Sequence, residues 1–168
     1  MTAIVAIGAN LPSLDGRPAL ETCRWAVTEL GRIPGMQLQA MSSWWESAPI
    51  PPDPRSPPYI NGVALLAGNA APEALLGALH AIEDRAGRVR PYPNAPRVLD
   101  LDLIDLDGLV RAGPAPILPH PRAAERAFVL MPLAEVAPGW RHPVLGRSVE
   151  ELVDALPEQE IRRAGSFD

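Results

Sequence analysis

Six of the eleven residues from Ala48 to Pro58, "APIPPDPRSPP", are proline. A proline ring fixes φ and removes the amide donor, so this run can be neither helix nor central strand. It reads as a loop, stiff in parts and long enough to serve as a lid. The rest of the chain must be arranged around that break. Before it, "TAIVAIG" is rich in β-branched residues and runs into Gly8, a strand leading to a turn. "LDGRPALETCRWAVTELGRI" sets Leu20, Cys23, Val27 and Leu30 at helical spacing, with Asp15 as candidate cap and a stop between Gly31 and Pro34. "MQLQAMSSWWES" alternates as a second strand. After the loop, "YINGVALLAG" reads as a third strand, and "APEALLGALHAIEDRAGR" as a second helix with Pro72 in its first turn and Gly87 at its end. In "PRVLDLDLIDLDG" the carboxylates of Asp100 and Asp102 alternate with Leu99, Leu101 and Leu103, which predicts a fourth strand with acids on one face and leucines on the other. "ILPHPRAAERAFVLMPLAEVAP" reads as irregular chain with short helical pieces, and "SVEELVDALPEQEI" as a terminal helix.

That order predicts an α+β fold: a ferredoxin-like βαββαβ antiparallel sheet with its helices on one face, followed by a C-terminal extension of roughly sixty residues that the basic fold does not need. A chain of 168 residues suits one domain, residues 1–168, with enough interior to need no staples. Cys23 is the single cysteine, which rules out an intrachain disulfide; inside an apolar helix it reads as a buried spectator. No apolar run reaches spanning length and "MTAIVAIGAN" lacks the basic start of a signal peptide, so the expectation is a cytoplasmic protein without membrane contact.

All fifteen basic residues are arginine, which excludes lysine Schiff-base chemistry and a Walker-type phosphate loop. Coding bias toward arginine, alanine and proline accounts for most of that pattern. It does not account for Arg88, Arg90 and Arg97 crowding ahead of Asp100 and Asp102. A net charge of −5 argues against a sequence-independent grip on nucleic acid, whereas a local arginine cluster suits a small phosphorylated ligand.

Six fragments occur together: "AIGANL" (6–11), "SSWWESAPI" (42–50), "YINGVALL" (59–66), "IEDRAGRVR" (82–90), "PRVLDLDLI" (96–104) and "LPHPRAAERAFVLMPLAEVAP" (118–138). In order and spacing the chain resembles the 6-hydroxymethyl-7,8-dihydropterin pyrophosphokinases of folate biosynthesis from about residue 3 to 150. The resemblance implies transfer of a pyrophosphoryl group from ATP to the pterin's hydroxymethyl oxygen, releasing AMP. It implies Asp100 and Asp102 as ligands of two Mg²⁺ ions; Arg88 and Arg97 as catalytic partners of the triphosphate; and Glu83, Arg90, His120 and Arg126 as further nucleotide residues. For the pterin it implies Asn61 on the ring's polar edge, Tyr59 and Phe128 stacked on its faces, and the main chain at Ala48, Pro49 and Pro51. The chemistry suits these types. Phosphoryl transfer asks a protein to position groups and offset charge, and an amide carries donor and acceptor together. Outside the motif frame, Asp-x-Asp is most often a solvated strand face and a lone arginine a weak surface ion pair.

The chain also departs from the family pattern. "PYPNAP" is one residue shorter than the usual loop before "PRVLDLD" and lacks its arginine and tryptophan, leaving Tyr92 as a substitute. Pro51 has no amide hydrogen to offer a pterin, and Trp44 and Trp45 replace smaller aromatics, for which packing is the reading. The expected partners are ATP and the pterin, with a monomeric protein. Two other classes compete: an RNA-binding module, which would need exposed aromatics and a basic sheet face, and a catalytically impaired relative serving as a nucleotide- or pterin-binding subunit. The acidic balance opposes the first, and retention of Asp100, Asp102, Asn61 and His120 the second.

Overall fold

The computed structural model describes residues 1–13, 15–49, 53–87 and 98–165. Within them the strands are β1 (Thr2–Ala9), β2 (Met36–Met41), β3 (Trp44–Ser47), β4 (Tyr59–Gly68), β5 (Asp100–Leu106) and β6 (Ile161–Gly165). The helices are α1 (Ala19–Leu30), α2 (Pro72–Arg85), α3 (Ala127–Val136) and α4 (Val149–Asp154), with one 3₁₀ turn at Ala123–Glu125. The sheet runs β5-β1-β4-β3-β6, β2 also pairs with β4, and all its pairs are antiparallel.

β1 is the hinge of the packing, because its side chains alternate between two apolar clusters. Ala3, Val5, Ile7 and Ala9 meet Cys23, Val27 and Leu30 of α1 and Leu75, Leu79 and Ile82 of α2. Ile4 faces the other way, with Val63, Ile104, and Val129, Leu130 and Leu133 of α3 beside Val149 and Leu152 of α4. The two helices predicted to share one face do so. The C-terminal extension is the departure: α3 and α4 cover part of the second face, which the basic fold leaves open. Cys23 is fully buried, and burial pushes its thiol up to about 12, so it is inert at neutral pH.

Three local expectations need correction. Asp15 does not cap α1, whose N-cap position is Pro18; the Asp15 carboxylate instead accepts from the Ser13 hydroxyl. The single strand expected over "MQLQAMSSWWES" is two. Met41 pairs with Ala64 and Trp45 with Asn61, so five residues on one side match four on the other. At the break the buried Ser42 hydroxyl takes the Val63 N–H at 2.9 Å and gives its own proton to the Ser43 carbonyl, replacing ladder bonds. As successive residues of β3 the two tryptophans point to opposite faces. Trp44 enters the α1–α2 cluster above Gly62, and the Trp45 indole donates to Glu135 of α3 at 2.6 Å. Finally, the expected terminal helix stops at Asp154, and Ile161–Gly165 returns as β6 along β3.

Candidate active site

Among the described residues β5 has a strand neighbour on one side only, and the N–H of Leu101 finds its acceptor in a side chain. Glu83 of α2, 1% exposed, takes that N–H at 2.8 Å. This bond fixes the backbone between Asp100 and Asp102. The two aspartates stand opposite Gly8 and Ala6 of β1 and are half-buried. They project from the face opposite Leu101 and Leu103, which lie in the α1–α2 cluster. Asp105 and Asp107 belong to the same acidic run but not to the site. A register shift between Ile4 and Val5 adds a residue to β5, and Asp105 turns under Trp140, whose indole N–H reaches it at 3.4 Å. Burial raises the Asp105 carboxyl above its ordinary range.

Gly8 pairs on one side with Asp100 and on the other with Asn61 of β4. Asp100, Gly8 and Asn61 therefore form one row across three strands, on one face. A β-carbon at Gly8 would sit 3.4 Å from Asn61 Oδ1, so glycine keeps the space between the carboxylate and the amide open. Asn61 is 4% exposed and its Nδ2 donates to Ser47 Oγ at 2.8 Å. Tyr59 lies two residues along the same strand face, opposite Ser47. Asn10, just past β1, donates to Ser56 Oγ and so ties the end of this row to the proline loop.

The start of α3 and the segment leading into it deliver the remaining groups. The Arg126 guanidinium lies 5.4 Å over the ring of Phe128. His120 is held by its N–H on the Ile104 carbonyl at 2.9 Å, and its Nδ1 accepts the Arg122 N–H at 3.2 Å, which leaves Nε2 to carry the proton in the neutral ring. Burial, and then the charge of Arg126, hold this imidazole below its ordinary 6.5, with Asp100 pulling the other way. A cavity of about 330 Å³ opens between the end of β3 and the start of α3. Of the residues expected at the pterin, Ala48, Pro49 and Phe128 line it; Tyr59 and Asn61 do not, although Asn61 reaches its wall through Ser47. The other wall, Glu158 to Ile161, carries no apolar alternation that would have flagged it. Arg88, Arg90, Arg97, Pro51 and Tyr92 lie outside the described residues.

Residues 4–138 match the sequence profile of the 7,8-dihydro-6-hydroxymethylpterin-pyrophosphokinase family. The chain belongs to that family. It is thus a pyrophosphokinase, a transferase of folate biosynthesis. A 2-amino-4-hydroxy-6-hydroxymethyldihydropteridine pyrophosphokinase of Pseudomonas aeruginosa is 40% identical over 159 residues, 95% of this chain and 94% of the relative. One from a Synechocystis species is 37% identical over 154 residues, 92% of this chain and 75% of the relative. A folic acid synthesis protein of Schizosaccharomyces pombe is 31% identical over 166 residues, 99% of this chain but 22% of that longer protein.

In this pyrophosphokinase, among the described residues, no three His, Cys, Asp or Glu side chains cluster so as to hold a metal ion by themselves. Asp100 and Asp102 offer hard oxygen donors on one strand face, the type that Mg²⁺ takes as one or two carboxylates completed by phosphate oxygens and water. The donor set fits a metal that arrives with nucleotide. Among the described residues no helix is long and apolar enough to cross a membrane.

Proposed function

We propose that this enzyme transfers the pyrophosphoryl group of ATP to the hydroxymethyl oxygen of 6-hydroxymethyl-7,8-dihydropterin. The alcohol oxygen bonds to the β-phosphorus, the bridge to the α-phosphate breaks, and AMP leaves with the bridging oxygen. The alcohol proton passes to water or phosphate. The observation that carries this reading is the row Asp100, Gly8, Asn61, which sets an anionic oxygen donor and a heterocycle-reading amide on one face with open space between them.

Asp100 and Asp102 would hold two Mg²⁺ ions, which supply charge neutralisation at the phosphates and orient the reacting oxygens. Asn61, held by Ser47, reads the polar edge of the pterin. Tyr59 and Phe128 stack on its faces, and Ala48 and Pro49 close the pocket, to which the family resemblance adds Pro51. His120 and Arg126 face the triphosphate together with Arg88, Arg90 and Arg97; of these Arg88 and Arg97 stabilise the charge in flight. Glu83 is too deeply buried to serve best as a nucleotide contact, and its bond to Leu101 supports a positioning role for the aspartates. With β2 and β3 counted as one split strand, the order β5-β1-β4-β3 supports the ferredoxin-like reading. The protein is read as one domain over residues 1–168, monomeric and cytoplasmic.

The test is AMP release from ATP and Mg²⁺, with the pterin added or withheld, for the wild type and for Asp102→Ala. AMP should appear only with pterin and vanish in the variant while the thermal midpoint is kept. No AMP from folded wild-type protein would mean a binding subunit in place of an enzyme. An active Asp102→Ala would refute the carboxylate pair as the metal site.

A further inference from the structure

One wall of the cavity beside Phe128 is built by chain that none of the six fragments contains. Glu158, Gln159, Glu160 and Ile161 face Ala48, Pro49 and Phe128 across it. The segment is anchored at both sides. On the β3 side the Ala48 N–H donates to the Glu160 carbonyl at 3.2 Å, and Ile161 stands opposite Ser47. On the α3 side the anchor is one side chain. Arg126, at the N-cap position of α3, makes no side-chain capping bond, so the helix begins with an unsatisfied N–H at Ala127. Gln159 Oε1 accepts that N–H at 3.0 Å, and its Nε2 donates to the Glu125 carbonyl at 3.0 Å. The two bonds grip the backbone on either side of Arg126, whose guanidinium covers the Phe128 ring.

We infer that residues 158–161 form a wall of the pterin subsite and that Gln159 is its positioning residue, capping α3 from 32 residues away and so fixing Phe128, which lines the cavity. This rests on the function proposed above. The charge of the wall sets which ligand it takes. Among the described residues Glu158 and Glu160 line the cavity and no arginine does, which repels a triphosphate and admits a neutral flat heterocycle. A cavity of this size is at the small end of ligand pockets, matched to one bicyclic ring.

The test uses the full chain with two variants, Gln159→Leu, which keeps the bulk and removes both bonds, and Gln159→Glu, which keeps the acceptor for the Ala127 N–H. Steady-state turnover gives KM for the dihydropterin, KM for ATP with Mg²⁺, and kcat, alongside a thermal midpoint. In Gln159→Leu the pterin KM should rise about tenfold, the equivalent of roughly one hydrogen bond, with the ATP KM within about twofold. Gln159→Glu should fall between it and the wild type. A pterin KM unchanged in both variants, or both KM values and kcat shifting together with the thermal midpoint, would overturn the inference. Should Gln159→Leu fail to fold, the same split or its absence in Gln159→Glu decides. A wild type inert toward the pterin would bring down the proposed function as well, whereas an active wild type matched by both variants would bring down this inference alone.

Discussion

Replacing Glu83 isolates the support beneath the aspartate pair. The carboxylate is buried and accepts the Leu101 N–H at 2.8 Å, a charge-assisted bond in a dry setting. Such bonds contribute about 1.5–3 kcal/mol, and deleting the acceptor also leaves the N–H without its partner. Glu83→Ala adds a small cavity, so a loss of about 2–4 kcal/mol is expected. For a protein of this length each kcal/mol lowers the midpoint by about 2–4 °C, which puts the fall near 5–15 °C. Glu83→Gln keeps an acceptor of similar shape and should cost about 1 kcal/mol. Circular dichroism on heating measures both. At a temperature where each variant is fully folded, turnover should fall steeply in Glu83→Ala, because Leu101 joins the two aspartates, and only modestly in Glu83→Gln. A Glu83→Ala protein with wild-type midpoint and turnover would refute the idea that this bond positions the pair. Equal damage in both variants would make the charge, not the acceptor, the operative property.

Asn61→Ala should raise the pterin KM by at least about tenfold and leave the ATP KM nearly unchanged, since on the proposed assignment the amide, held by Ser47, meets the ring edge alone; equal effects on both ligands would remove Asn61 from the pterin pocket. The folded state holds His120 below 6.5, so its contribution to stability is complete above about pH 6.5 and is lost as the pH falls through the folded value. Midpoints from about pH 7.5 down to 5 should therefore drop less in His120→Asn than in the wild type, and parallel curves would contradict this. Gly62→Ala would place a β-carbon 2.6 Å from Met41 Cε and 2.7 Å from Trp44 Cζ3, an overpacking worth about 1–3 kcal/mol in denaturant titration. A neutral result there would mean that Trp44 repacks freely.

Strong periodicity made much of the fold legible. β1, α1, β4, α2 and β5 each carry a clear pattern of 2 or 3.6, and their order anticipates the sheet. What escaped was set by tertiary partners. The split at Ser42 depends on a hydroxyl meeting Val63 from another strand, which no local pattern encodes. β6 escaped because "IRRAG" has no apolar face; it is held at the sheet edge by pairing with β3 and by Arg162 on Glu46 at 2.9 Å. In the candidate site, motif context singles out the aspartates, Asn61 and Phe128. Gly8 was read as the end of a strand, and its use as an opening appears only once Asp100 and Asn61 flank it. Gln159 reads as helical from sequence because Glu158, Gln159 and Glu160 favour helix, but Pro157 separates them from "ELVDAL" and the helix has already ended at Asp154.

The row from Asp100 through Gly8 to Asn61 has a metric consequence. Adjacent strands lie about 4.8 Å apart, so the first and third members of the row are separated by about 10 Å at the backbone. That interval is fixed by main-chain hydrogen bonds, and no side-chain substitution can alter it without breaking the sheet. On the proposed assignment, the distance between the recognised ring edge and the phosphate-bearing metal is gauged by the fold itself. Analogues with the hydroxymethyl arm lengthened or shortened by one carbon should therefore bind at the ring and yet present their alcohol out of register with the phosphorus. The sheet acts as a ruler with two graduations, and molecules are accepted by length as well as by shape.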